Sequence, residues 1–151
     1  MTEITFYFNV PDRLNYACRL LRKALRSSGE AVHRQAAVLA PSATLSRFDR
    51  ALWSFEATEF IPHVLLTNSA DALTATAKHL RTPVWLVEQA EQAAHMSLLL
   101  HLGNDPAVGF ESFQRLVEVV SADPQDKDAA RIRWKHYKAR GYQIQKHEVS
   151  A

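Results

Sequence analysis

Cysteine is almost missing from this chain. Cys18 is its single thiol, which excludes an intrachain disulfide and a cysteine-based zinc site and fits a reducing cytoplasm. Glycine is scarce too. Gly29, Gly103, Gly109 and Gly141 form neither a Gly-x-Gly-x-x-Gly turn nor a phosphate loop ending in Gly-Lys-Ser/Thr, so backbone cradling of phosphate has no visible means. There is no Gly-x-Ser-x-Gly elbow, and Ser-His-Asp hydrolysis therefore lacks its nucleophile geometry. The seven histidines are scattered without a ligand spacing such as His-Glu-x-x-His. His95 and His101 would share one face of a probable strand, but only at its two ends. The longest purely apolar runs are four or five residues, far short of a membrane span. Met1-Thr-Glu-Ile-Thr5 carries no basic region leading into such a run, so no signal peptide is expected. Neither sign of charge dominates: 18 basic residues face 16 acidic ones, a net charge of +2. A general nucleic-acid coat is thereby excluded, and any basic site must be local. Repeats, low-complexity tracts and linkers are also wanting, so the 151 residues read as one domain with a single substantial core.

What is present is ordinary for a soluble globular protein, 47% hydrophobic and 23% charged residues. Ile4-Thr-Phe-Tyr-Phe-Asn-Val10 is β-branched and aromatic, and reads as a strand. Pro11-Asp12 offers a cap for a helix over Arg13–Ser28, in which Leu14, Ala17, Cys18, Leu21 and Leu25 keep the helical period and Gly29 ends it. Cys18 falls on that apolar face as inert core. Arg13, Arg19, Arg22, Lys23 and Arg26 take the opposite face, which reads as solvated, with phosphate contact as the alternative. Ala31–Ala40 is a second strand, clearest at its apolar end, and Pro41-Ser42 opens a second helix. Strand, helix, strand, helix argues for a parallel sheet with crossover connections.

Further on, Val64–Leu66 is a short strand and Thr67–Arg81 a loop with some helical character. Thr82–Val87 and His95–Leu102 are a fourth and a fifth strand, the latter apolar enough to be covered on both faces. Phe110–Val120 reads as an amphipathic helix with Phe113, Leu116, Val117 and Val120 inward. Tyr142–His147 alternates like a terminal edge strand. The fold class is α/β: three layers, with a mostly parallel central sheet and helices on both faces, in a Rossmann-like, mononucleotide-binding-like topology.

Two stretches stand out. In Asp128-Ala-Ala-Arg-Ile-Arg-Trp-Lys-His-Tyr-Lys-Ala-Arg-Gly-Tyr142, helical spacing aligns Lys127, Arg131, Lys135 and Lys138 as one basic stripe. Ala130, Trp134 and Tyr137 form an apolar seam at its edge, and Gly141 stops the helix. Cations bordered by rings suit a ligand both acidic and aromatic: an acidic peptide, a chain terminus or nucleic acid. The plainer alternative is a helix that buries its rings and solvates its charges. The second stretch, Leu52-Trp-Ser-Phe-Glu-Ala-Thr-Glu-Phe-Ile-Pro-His63, is dense in large rings for a connecting segment. Trp53, Phe55, Phe60 and Ile61 either fold onto the core or anchor a partner.

Taken in order, Thr5-Phe-Tyr-Phe8, Phe48-Asp-Arg-Ala-Leu-Trp53 with Glu59-Phe-Ile-Pro-His63, Glu118-Val-Val120, and Arg131-x-Arg-Trp-Lys-x-Tyr-Lys-x-x-Gly-Tyr142 resemble the chi subunit family of bacterial DNA polymerase III. The match runs over almost the whole chain; the segment from about Thr67 to Arg81 departs from it. The resemblance implies a mononucleotide-binding-like fold without nucleotide activity, cofactor or metal, serving as a cytoplasmic adaptor of the clamp-loader assembly. One surface of such a protein holds the acidic C-terminal tail of single-stranded-DNA-binding protein; here that implies Val120, Lys127, Arg131, Trp134, Lys135 and Lys138. Arg131 would take the terminal carboxylate, Lys127 and Lys135 the acidic residues before it, and Val120 with Trp134 the terminal phenylalanine. Trp134 stands where the family usually has tyrosine. A second surface, implied at Trp53, Phe60, Pro62 and His63, would hold the psi subunit or, in some bacteria, an XPD-like helicase. Two other readings stay open: direct single-strand binding, with Trp134 and Tyr137 stacking on bases, and, on fold class alone, a nucleotide-binding enzyme.

Overall fold

The structure, a computed structural model, describes residues 2–27, 36–54, 63–66, 84–93 and 97–149. Seven strands form one sheet: β1 (Glu3–Val10), β2 (Ala36–Leu39), β3 (His63–Leu66), β4 (Val84–Val87), β5 (Leu98–His101), β6 (Arg115–Ser121) and β7 (Ile144–Glu148). Their order is β3-β4-β2-β5-β6-β1-β7, and every pairing is parallel. The helices are α1 (Arg13–Ser27), α2 (Ser42–Ser54) and α3 (Pro124–Ala139). None of the described helices is long and apolar enough to cross a membrane.

The two-residue period of the strands divides the core. Ala37, Leu39, Trp85, Val87, Leu99, Leu116 and Val120 point to one side and pack with Ala130 and Tyr137 of α3. Their neighbours Ala36, Val38, Val84, Leu86, Leu100, Val117 and Val119 point to the other side and pack with Ala17 and Leu21 of α1 and Leu45, Phe48 and Leu52 of α2. A parallel sheet needs this cover on both faces, and the result is the expected three layers. Cys18 is fully buried within the α1–α2 side. The strands at Ile4–Val10, Val64–Leu66 and Tyr142–His147 and both N-terminal helices lie where the sequence places them, within a residue or two. Of the second strand the described residues include the apolar end, Ala36–Leu39, and of the fifth they include Leu98–His101. Gly29, Ala31–Gln35, Phe55, Phe60, Ile61, Pro62, Thr67–Arg81 and His95 lie outside the described residues.

Two expectations are corrected. Phe110–Val120 is not an amphipathic helix: Phe110–Ser112 form a single 3-10 turn and Arg115–Ser121 is β6. Leu116-Val-Glu-Val-Val120 fits either period, but a β-branched run between β5 and β1 loses both faces to neighbouring layers. Val117 therefore points away from Leu116 and Val120, not with them. The second correction is Arg13, which is not part of a solvated face. Its Nε donates to the carbonyl of Val119 at 2.8 Å and lies 3.9 Å from the Asp126 carboxylate. Burial lowers its pKa from the ordinary arginine range.

Candidate functional site

The site is built on α3, whose ends are both specified locally. Asp123 caps the start, its Oδ1 accepting from the Gln125 N–H at 2.8 Å, and Pro124 occupies the first helical position. At the other end Gly141 takes φ 89°. Its N–H donates to Lys138 O, and the Tyr142 N–H reaches back to Tyr137 O, closing the helix on a left-handed residue.

A buried cluster fixes how α3 lies on the sheet. Glu118, in the middle of β6, has no exposed surface. His101 Nδ1 of β5 lies 2.9 Å from both its oxygens. Arg133 Nε donates to Oε1 at 3.1 Å, and the Tyr137 hydroxyl donates to Oε2 at 2.6 Å. Arg133 Nη1 also donates to Asn104 O, and the Ala107 N–H donates to the Tyr137 oxygen. Burial pushes the Glu118 carboxyl upward, yet His101, Arg133 and the Tyr137 hydroxyl outweigh it and hold the carboxyl below its usual range. Burial and the neighbouring carboxylate raise the Tyr137 phenol, which stays a donor. Arg133 Nη2 alone has no partner among the described residues. At the helix start, Asp126 Oδ2 accepts from the Ser121 N–H at 2.7 Å, a second tie between α3 and β6.

With Ala130, Arg133 and Tyr137 turned inward, the helical period leaves Lys127, Arg131 and Trp134 along one flank. They open onto a cleft of about 450 Å³ between α3 and the β7 side of the sheet. Phe6, Phe8 and Val120 give it an apolar floor, Ala130 and Trp134 one wall, and Lys146 of β7 the opposite one. Trp134 is half-buried, edge-on to Phe6 with centroids 5.2 Å apart, and Lys146 Nζ sits 5.3 Å over its indole. Among the described residues Arg131 pairs only with Asp128, at 3.2 Å, with side chains 75% and 72% exposed. An ion pair so exposed holds little energy, so the guanidinium can exchange it for a ligand carboxylate.

Of the residues singled out from sequence, Val120, Lys127, Arg131 and Trp134 are thus gathered around one cleft. Lys135 and Lys138 are exposed farther along α3 and do not line it. Tyr137 is wholly buried and cannot stack on a base. Phe6, Phe8 and Lys146 were missed, because sequence alone does not say that β1 and β7 lie beside α3. The alternation of Tyr142–His147, which sets Ile144 and Lys146 on one face, was the available signal. On the far side of the molecule, Trp53 at the end of α2 is 61% exposed. His63 opens β3 with its ring 5.2 Å from that indole and its Nε2 2.8 Å from Asp49 Oδ1. Phe60 and Pro62 lie outside the described residues.

Residues 1–145 match the family described as DNA polymerase III chi subunit, HolC. A relative from Pseudomonas aeruginosa, DNA polymerase III subunit chi, is 33% identical over 154 aligned positions that cover 99% of this chain and 98% of that protein. Matched along nearly its whole length by both, the chain belongs to the DNA polymerase III chi subunit family, a family of DNA replication.

Proposed function

We propose that this protein is a non-enzymatic adaptor of the replication machinery whose α3 cleft takes the acidic C-terminal tail of single-stranded-DNA-binding protein. The observation that carries this reading is three cations, Lys127 and Arg131 from α3 and Lys146 from β7, facing each other across an apolar floor. A chain terminus with acidic residues before a final phenylalanine matches both features. The forked guanidinium of Arg131 pairs with the terminal carboxylate. Phe6, Val120 and Trp134 receive the ring, and Lys127 faces the acidic residues that precede it. Lys135 and Lys138 sit beyond the cleft and act at longer range, through a field that salt screens.

The Trp53–His63 corner, with Phe60 and Pro62 close by in sequence, is the natural place for the second partner, the psi subunit or an XPD-like helicase. An indole this exposed beside a histidine is a suitable anchor for an apolar segment. Holding one partner at each surface would tether the clamp loader to coated strands, raising its local concentration without new contacts.

Calorimetry with a synthetic tail peptide ending in acidic residues and phenylalanine tests the reading. Arg131→Ala should weaken binding at least tenfold, on the order of the worth of a charge-assisted pair, with an unchanged circular dichroism spectrum. Equal affinity for wild type and variant would overturn the assignment. Direct stacking of nucleic acid on α3 is disfavoured, since burial of Tyr137 leaves Trp134 as the only ring of the helix's apolar seam at the cleft.

A further inference from the structure

The opposite face of the sheet carries a second cationic trough, built from residues that the α3 cleft does not use. Arg19 and Lys23 stand one turn apart on α1, and Arg115 opens β6. With Tyr7 and Tyr16 they line a cavity of about 370 Å³ floored by Leu98, Leu100 and Val117. None of the three cations has an acidic partner among the described residues. The rings form a row: Tyr16 lies 5.7 Å from Tyr7, and Tyr7 stacks on the exposed His147 of β7 at 5.2 Å with planes 20° apart.

We infer that this trough holds a stretch of single-stranded nucleic acid, with phosphates on Arg19, Lys23 and Arg115 and a base against Tyr16. Three features favour that occupant. Unpaired cations on two elements suit a chain of phosphates better than one charged terminus. Ring faces beside them suit bases of any identity, since each has a π face. The trough also lies where β5 and β6 begin, at Leu98 and Arg115. Free nucleotides bind instead at the carboxyl ends of parallel strands, on glycine-rich turns, and none of the residues lining this trough is a glycine. An acidic peptide would meet the cations, but it would use the row of rings only where an aromatic side chain stood among its acids, whereas every nucleotide brings both a phosphate and a ring. The inference stands whether or not the α3 cleft takes a tail.

The test is fluorescence anisotropy of a labelled oligothymidylate titrated with the full chain at low salt, with no coating protein present. Wild type should bind, with affinity falling steeply as salt rises. Arg19→Glu combined with Lys23→Glu should weaken binding at least tenfold and flatten the salt dependence. Tyr16→Ala should cost roughly fivefold or more, whereas Arg131→Glu, on the other face, should leave the curve within about twofold. Circular dichroism checks that each variant is folded. Any of three results overturns the inference: no binding by wild type, equal loss from Arg131→Glu, or displacement of the oligonucleotide by thymidine monophosphate or an acidic peptide at equal concentration.

Discussion

A single carboxylate, Glu118, decides whether α3 can sit where it does. It is fully buried, and it holds residues from β5 and α3 to β6 through three side chains. Its folded pKa lies below the unfolded value of about 4.3. Its contribution to stability is therefore complete above that value and is lost as pH falls through the folded one. Glu118→Gln should cost ~3–5 kcal/mol near neutral pH, because it leaves the Arg133 guanidinium buried without a counter-charge. Urea unfolding at pH 7 and near pH 4 would show the gap between wild type and variant narrowing in acid. An equal gap at both pH values would contradict this account. Cys18 gives an independent residue-scale check. Burial pushes its thiol up to about 12, so a thiol reagent at pH 8 should leave the folded protein unlabelled and react once denaturant is added.

The cleft depends on the pairing of α3 with an edge strand, and the contributions of its lysines follow from which element carries them. Lys146→Ala should weaken binding of the tail peptide several-fold, since that side chain closes the cleft and covers Trp134. Lys138→Ala, near the helix end and outside the cleft, should change affinity by less than about twofold, and its effect should vanish at high salt. Isothermal titrations of both variants at two salt concentrations separate the roles. A larger loss from Lys138→Ala would place the ligand along the helix, not between helix and strand. Asp123→Ala should lower stability by about 1 kcal/mol through loss of the cap, with a smaller effect on affinity.

These elements were legible in the sequence to different degrees, for physical reasons. Helix α3 announced itself through its period and its terminal glycine, and the stripe of cations followed from geometry alone. Strand β6 did not. Glu118 interrupts an apolar run, and a polar residue there suggests an outward helical face until its three buried partners are known. Those partners come from other elements, so no local pattern could show them. Lys146 was hidden for the same reason: its strand was readable, but its position beside α3 follows only from the parallel pairing of β7 with β1.

At the scale of the whole molecule, one rigid sheet separates two cationic clefts. Lys127, Arg131 and Lys146 open on the α3 side, and Arg19, Lys23 and Arg115 on the α1 side. The net charge of only +2 means that neither site is part of a general basic coat, and the field at each is local. Between them lie β1 and β6, whose residues alternate between the two cores: Phe6 and Val120 on one side, Tyr7 and Val117 on the other. The two clefts share no lining residue across this close-packed layer, and coupling between sites requires a two-state element that both ligands bias. Tail peptide and oligonucleotide should therefore bind together and independently. Saturating the protein with tail peptide should leave the oligonucleotide affinity within about twofold, and the reverse titration must give the same factor, because binding linkage is reciprocal. Mutual exclusion would place both ligands on one face and remove the second cleft from the account. A coupling well above twofold in both directions would instead require β1 and β6 to shift between two packings.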